Sequence, residues 1–465
     1  MFEYSFPAAE VNPIMDTNNE ISYESNTALH PIINKIVDSY IRYNTETTPR
    51  KETATITGNS GFDQLSAGLS EGFFIPANTV QSQSSDYFPL YPGTVWEYIV
   101  NGYLNDTTRI LPKPVEVNGV MTTVVRDKDG LKEYYTSDSS GIMLHRLYEP
   151  DVSIKHIGTV NLSLTFIPPL QMAADIINIG QTFESSGIIK TNSLPIVGIM
   201  RIPYSSSFSL VSTENITVPA GNFDVLKISG DIIISNETVS TTYYLAENIG
   251  IVKEVSDGYT SELKSVYYIE LLTPSEEEII PSGETYTINW ETTPYTVYFK
   301  LLYSTDKGTT WNSMTPDLRT GTSFDWNVPS PKNNKTACLI KIIGYDSDGV
   351  EKTSVISKPF TIEVVKLTSP DGGETLTSNS SWPITWNTNV TNTPVAKVIL
   401  KYTTNGGATW NTITKITGSN PGTYDWNIPV VSREKTKCKI KIILQNANGK
   451  IVGTDMSDDY FTISP

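Results

Sequence analysis

Along most of this chain, apolar and polar residues alternate in short runs, and a period of two marks strands with one buried face. In "WPITW" (382–386) the alternation puts Trp382, Ile384 and Trp386 on one side. In "KCKIKII" (437–443), Cys438, Ile440 and Ile442 face one way while Lys439 and Lys441 face the other. "VVRDKDGLKEYY" (124–135) predicts a hairpin, with Asp129-Gly130 supplying a positive-φ turn. Two stretches depart from this pattern. "HPIINKIVDSYIRY" (30–43) spaces Ile32, Ile33, Ile36, Val37, Tyr40 and Ile41 at helical intervals, and "LQMAADIIN" (170–178) predicts a second short helix. The remainder of 1–85 is a polar tail, with β-prone pieces such as "TATITG" (53–58) and a final linker "TVQSQSSD" (79–86).

The C-terminal part is a tandem repeat. "YTINW" (286–290) matches "WPITW", "FDWNVP" (324–329) matches "YDWNIP" (424–429), and "ACLIKII" (337–343) matches "KCKIKII". Four segments follow: a tail (1–85), an antiparallel β domain (86–270), and two repeat units (271–365 and 366–465). Each unit has about seven short strands and an inward tryptophan, which fits an immunoglobulin-like β-sandwich. The expected fold is therefore mainly β throughout.

Each repeat also carries a box. "YSTDKGTTW" (303–311) presents Ser304, Asp306, Gly308 and Trp311, and "YTTNGGATW" (402–410) presents Thr403, Asn405, Gly407 and Trp410. The first spells the Asp-box pattern of sialidase propeller blades. Each copy lies between two strands, where the Asp or Asn can bond amides of its own turn and the Gly can take positive φ. Asn405 would be a poor catalytic acid, and the arginine cluster and repeated blades of a sialidase are missing. The box is read as a structural turn.

Composition narrows the function classes. Only 38% of residues are hydrophobic, and 465 residues suggest about three domains. A formal charge of −16 excludes a nucleic-acid backbone as a natural partner. Apolar runs such as "IIKTNSLPIVGIM" (188–200) break at charge or proline, so no transmembrane segment is expected. The opening residues have neither a basic n-region nor an apolar h-region, so they do not read as a signal peptide. The composition itself reads as extracellular or cell-surface. Cys338 and Cys438 sit at equivalent repeat positions and are expected to be buried free thiols.

The string "SPDGGETL…WPITWNT…VILKYTTNGGATWNTI…GTYDWNIP…CKIKI…FTIS" resembles the immunoglobulin-like module of Kre/Knh-type, Ser/Thr-rich microbial surface proteins, over about 271–465. The first copy departs at its start, where "TPSEEEIIPSGETY" stands. The resemblance implies a surface or stalk module and supplies no catalytic residues. In the middle domain, "YPGTVWEY" (91–98), "ITVPAGNFDVLKI" (216–228) and "YYLAENIGIVKEV" (243–255) are similar to secreted bacterial β domains. That likeness implies a half-barrel akin to lipoprotein carriers, with a hydrophobic ligand as one reading of its concave face.

Catalytic chemistry is not evident. His30, His145 and His156 are scattered, and His145 is expected at a surface or rim. "YDSDGV" (345–350) carries only part of a calcium loop, through Asp346 and Asp348, and reads as a hairpin turn. No catalytic, metal or cofactor site is expected. Trp382 has Tyr286 as its counterpart and is the best single candidate for an exposed, glycan-stacking aromatic. The leading expectation is a non-enzymatic structural protein that self-associates, or docks on other cell-surface proteins, through its tail. The alternatives are an adhesin for a cell-wall polysaccharide and a hydrophobic-ligand carrier.

Overall fold

The structure is a computed structural model and describes residues 31–33, 35–36, 82–154, 158–195, 198–256 and 258–465. Its first half contains β1 (Ser82–Gln83), β2 (Val95–Val100), β3 (Leu104–Ile110), β4 (Val115–Val117), β5 (Val120–Arg126), β6 (Lys132–Asp138) and β7 (Gly141–Ile154). There follow β8 (Gly158–Ala173), β9 (Ile176–Ile177), β10 (Thr182–Leu194), β11 (Gly198–Val218), β12 (Gly221–Ile234), β13 (Glu237–Ala246), β14 (Gly250–Ser256) and β15 (Tyr259–Tyr267).

Twelve of these strands close into one antiparallel barrel, in the order β3-β2-β15-β14-β13-β12-β11-β10-β8-β7-β6-β5. Closure is made where β3 meets β5, through the pairs Arg109↔Arg126 and Ile110↔Val125. The half-barrel expected from the sequence is corrected to a full barrel: pairing β3 with β5 removes both open edges. The short helix expected over 170–178 is also absent, because Leu170–Ala173 continue β8 and Ile176–Ile177 form β9.

Alternation sets which way the barrel faces. On β11, Ile202, Tyr204, Ser206, Phe208 and Leu210 are buried, while Arg201, Pro203, Ser205 and Ser207 are exposed. The apolar phase points inward and the polar phase outward. This is the reverse of a membrane-spanning barrel, whose outer band is apolar. Among the described residues, no helix is long and apolar enough to cross a membrane.

Two pieces of the tail pack on this barrel. Residues 31–33 and 35–36 are helical, and Ile32, Ile33 and Ile36 are buried in the barrel core. Lys35 Nζ lies 3.4 Å from Glu237 Oε2, at the start of β13. At the other end of β13, β1 pairs with β9, and the Asn248 amide donates to the Asp86 carbonyl at 2.7 Å. Phe88 then meets Tyr135 edge-on, with centroids 5.1 Å apart. Most of the tail, including "TATITG", lies outside the described residues.

Each repeat builds a three-stranded and a six-stranded sheet. In the first, Thr285–Thr292 pairs with Ile269–Leu271 and Ser323–Asn327, while Lys335–Tyr345 is central to the larger sheet. One apolar core serves both sheets and contains Ile288, Trp290, Trp326, Cys338 and Phe360. Ile384, Trp386, Trp426, Cys438 and Phe461 occupy the equivalent places in the second. Both thiols are free and fully buried, and burial pushes Cys338 up to about 11.

The units meet through specific polar contacts. Between barrel and first repeat, Lys352 Nζ reaches Glu97 Oε1 at 2.6 Å, while Asp346 Oδ2 of the same repeat lies 3.4 Å from that Nζ. Thr353 Oγ1 donates to the Gly93 carbonyl at 2.6 Å, and the Tyr295 hydroxyl donates to the Ala220 carbonyl. Gly93 has φ of +90°, and a Cβ there would lie 2.3 Å from the Ser354 carbonyl oxygen, so glycine permits this approach. Between the repeats, Asn334 Oδ1 accepts from the Val364 and Val365 amides at 2.8 and 3.2 Å, and its Nδ2 donates to the Val365 carbonyl at 2.8 Å. Ser282 and Val390 exchange two further bonds across this junction.

Candidate functional site

The barrel interior has two unlike walls. On β8 and β10–β12 it is apolar, built from Phe166, Ile189, Ile202, Phe208 and Ile232, all at most 5% exposed. The rest of the interior, on β2, β6 and β13–β15, carries Glu133, Glu254 and four tyrosines, and the two parts meet where the Phe208 and Tyr243 rings lie 6.3 Å apart.

Pleat phase explains how two carboxylates come to face inward. Glu133 pairs with Val125 and flanks Leu147, both in the barrel core. Its neighbour Tyr134 pairs with Val124 and joins a separate cluster with Val117 on the outer face. On β14, Lys253 points outward to Glu262 Oε1 at 2.7 Å. Glu254 therefore points inward, between buried Val252 and Ser256 and opposite Tyr243. Tyr98 donates its hydroxyl to the Ile251 carbonyl at 2.9 Å.

Tyr98, Tyr135, Tyr243 and Tyr259 each feel the charge of both carboxylates, which identifies the six side chains as one cluster. Burial pushes Glu133 up to about 8, and the nearby Glu254 charge adds to the effect. Burial alone pushes Glu254 up to about 7. All four phenols are raised as well, burial being the main cause. Near neutral pH, Glu133 is mostly a neutral acid and Glu254 is near its midpoint.

Glu133, Tyr243 and Glu254 are each partly rather than fully buried. The Ser206 hydroxyl on β11 is buried out of solvent reach and has no hydrogen-bond partner among the described residues. The barrel interior thus pairs an apolar side with a polar, aromatic one, an arrangement suited to binding a small amphiphile.

The residues singled out in the sequence lie elsewhere. Ser304 Oγ donates to Asp306 Oδ1 at 2.7 Å, and Asp306 accepts from the Thr310 amide and hydroxyl at 2.8 and 2.6 Å. These bonds hold the Asp306 carboxyl down to about 2. Gly308 has φ of +84° and lies beside Trp311. In the second copy, Thr403 Oγ1 donates to Asn405 Oδ1 at 2.8 Å, and Asn405 accepts from the Thr409 amide at 3.0 Å. Gly407 has φ of +96°, with Trp410 against it. Both loops join antiparallel strand pairs.

Trp382 is half-buried rather than exposed, and its indole N–H donates to Ser369 Oγ at 3.1 Å. His145, expected at a surface or rim, is instead 5% exposed, with Nε2 3.0 Å from Thr136 Oγ1. His30 and His156 lie outside the described residues. Asp346 Oδ1 accepts from the Asp348 and Val350 amides at 3.0 and 2.9 Å, closing its own turn.

The luminal cluster was missed, although a signal for it existed. In "LKEYY" Glu133 shares the strand phase of Leu131 and Tyr135, and in "GIVKEV" Glu254 shares that of Val252. A carboxylate in the apolar phase of a strand is the mark to look for.

Fold and site together define a closed antiparallel β-barrel with a mixed interior, followed by two repeated two-sheet units. A family model described as DUF3108-like matches residues 182–266, which is β10 to β15 of the barrel. No curated protein matches the chain. Among solved structures, a putative lipoprotein from Parabacteroides distasonis is 16% identical, covering 39% of this chain and 97% of that one, with a TM-score of 0.22. The hypothetical lipoprotein YmcC from Escherichia coli is 10% identical, covering 40% and 90%, with a TM-score of 0.23. Fibronectin(III)-like modules of Clostridium thermocellum CbhA are 16% identical, covering 42% and 93%, with a TM-score of 0.17.

Proposed function

We propose that this chain is a non-enzymatic, extracellular or cell-surface binding protein. Its barrel holds a small amphiphilic molecule in the lumen, and two immunoglobulin-like sandwiches of the Kre/Knh type carry the barrel as a stalk. The observation behind this reading is a closed barrel whose strands place the partly buried Glu133, Tyr243 and Glu254 in the same phase as its apolar core. The polar contacts at both junctions suit a stalk that presents the barrel at a set distance.

The other two readings have less support. Tail-mediated assembly needs a tail free to reach a neighbour, yet Ile32, Ile33 and Ile36 are seated in their own barrel. A glycan platform needs an open aromatic face, and Trp382 is half-covered and bonded to Ser369.

The test is a titration of the full-length chain with the apolar fluorophore N-phenyl-1-naphthylamine. Saturable binding near one-to-one is expected. Filling the lumen by Ile232→Trp, or independently by Ser206→Phe, should abolish it while the β signature in circular dichroism persists. Absence of saturable binding to the unaltered protein would overturn the proposal.

A further inference from the structure

The two repeats share a fold but not a charge. Residues 366–465 hold ten Lys and Arg against seven Asp and Glu, whereas residues 271–365 hold eight against twelve. Much of the basic excess lies on one sheet face. In the second repeat, strands Ile451–Met456, Lys435–Gln445, Lys397–Thr403 and Asn411–Thr417 run side by side. Val398, Leu400, Ile442 and Leu444 point into the core, so the opposite phase faces outward. On that phase Lys441 pairs with Lys401, and Ile443 pairs with Ile399, which in turn pairs with Lys415. Lys397 completes the set, and the remaining residues of these rows are uncharged.

These four lysines have no counterion in the chain. Among the described residues none of them forms an ion pair. The acids nearby are engaged elsewhere: Asp455 accepts from the Leu367 amide at 2.7 Å, and Asp458 pairs with Lys366. Setting Lys401 directly opposite Lys441 costs stability, because like charges in register repel. The fold does not require it. In the first repeat Leu302 stands opposite Lys341, Tyr298 takes the place of Lys397, and Lys300 that of Ile399. At the margin of the face, the half-buried Trp410 ring lies 5.7 Å from Lys441 Nζ. Its indole N–H donates to no protein group among the described residues.

We infer that this face docks an acidic polysaccharide, a polymer carrying carboxylates on its sugar rings. The cations are spread over a flat sheet rather than converging on one point, which suits an extended chain and not a small anion. They are lysines, hydrated point charges that accept an anion in many orientations, whereas the cores of protein interfaces are depleted in lysine. Trp410 supplies a ring face for a sugar beside the charge. The site is separate from the barrel and does not depend on the lumen-binding reading. It would hold the C-terminal repeat against an acidic cell-surface polymer, which repels the acidic remainder of the chain.

The experiment is biosensor titration of the full-length chain over immobilised polygalacturonate, dextran sulfate and neutral dextran. Binding to polygalacturonate and not to dextran is expected. With four lysines neutralised, affinity should fall roughly fiftyfold between about 50 and 200 mM salt, as for a single-stranded polyanion. The double variant Lys397→Tyr with Lys401→Leu takes its side chains from the first repeat and should keep the wild-type unfolding temperature. It should lose about tenfold or more in affinity and halve the salt dependence. Lys300→Ile, on the first repeat, should bind as wild type does. The inference is overturned if polygalacturonate fails to bind, or binds the double variant with undiminished affinity and salt dependence. Tighter binding to dextran sulfate than to polygalacturonate would overturn the sugar carboxylate. Self-association at low salt that the double variant abolishes would assign the face to the acidic part of a second copy, and would overturn it too. Fluorophore binding in the barrel is read separately, so failure here leaves that reading untouched.

Discussion

Replacing Glu133 by glutamine tests the luminal cluster without any ligand. The folded protein holds the Glu133 proton up to about pH 8, whereas an unstructured glutamate loses it near 4.5. A carboxyl raised in this way contributes stability that is fully present below the unfolded value and lost as pH rises through the folded one. In that window the native state binds more protons than the unfolded state, so stability falls with rising pH. A shift from 4.5 to about 8 would be worth roughly 5 kcal/mol at about 1.4 kcal/mol per unit. Glu133 is only partly buried, which screens its charge, so about 2–3 kcal/mol is the working figure. For a barrel of this size that corresponds to roughly 5–10 °C in its unfolding temperature between pH 5 and pH 9.

Glutamine keeps the shape and carries no charge. The variant should match wild type below about pH 4.5, gain on it progressively as pH rises from there, and hold a constant advantage above about pH 8. Glu254→Gln should act in the same direction from the same onset but level off nearer pH 7 with a smaller total, since its folded value is about 7. Because the two sites are coupled, the double variant should show less than the sum. Differential scanning calorimetry from pH 5 to 9 measures the effect. Glu149, raised to about 7 by burial, titrates in the same window in every variant, so the difference from wild type is the relevant quantity. Parallel curves for wild type and both variants would refute the buried, ionisable cluster.

Other expectations follow from particular contacts. Asn334→Ala removes three hydrogen bonds at the junction between repeats and should cost about 2–4 kcal/mol, visible as a lowered unfolding temperature and faster limited proteolysis there. Asp306→Asn should be better tolerated than Asp306→Ala, because Asn405 makes the equivalent bonds in the second copy. The Asp306 contribution should be present above pH 3.8 and disappear as pH falls through about 2, as acid titration of the first repeat would show. The indole N–H of Trp386 donates to Asn420 Oδ1 at 2.7 Å, whereas that of Trp290 is buried without a partner. Trp386→Phe should therefore cost about 1 kcal/mol more than Trp290→Phe by chemical denaturation.

The parts of this protein that its sequence alone determined are those settled within a few residues. Strand alternation puts Cys338 and Ile340, and Cys438 and Ile440, into cores, because a period of two fixes one face whatever the partner strand. The box loops are equally local, since Ser304, Asp306 and Thr310 bond to one another within a single turn. The three isoleucines of 31–36 lie at helical spacing and do bury together.

Only the tertiary structure decided the rest. Barrel closure depends on pairing Ile110 with Val125 across an intervening strand, a register that no local pattern specifies. The helix expected at 170–178 gave way to strand because β7 offers Leu170–Ala173 a ladder and β1 pairs with Ile176–Ile177, and tertiary pairing outweighs local propensity. Glu133 and Glu254 are ordinary strand glutamates beside lysines in the sequence. They become one site because the barrel wraps β6 and β14 around the same interior, and burial there changes their charge state.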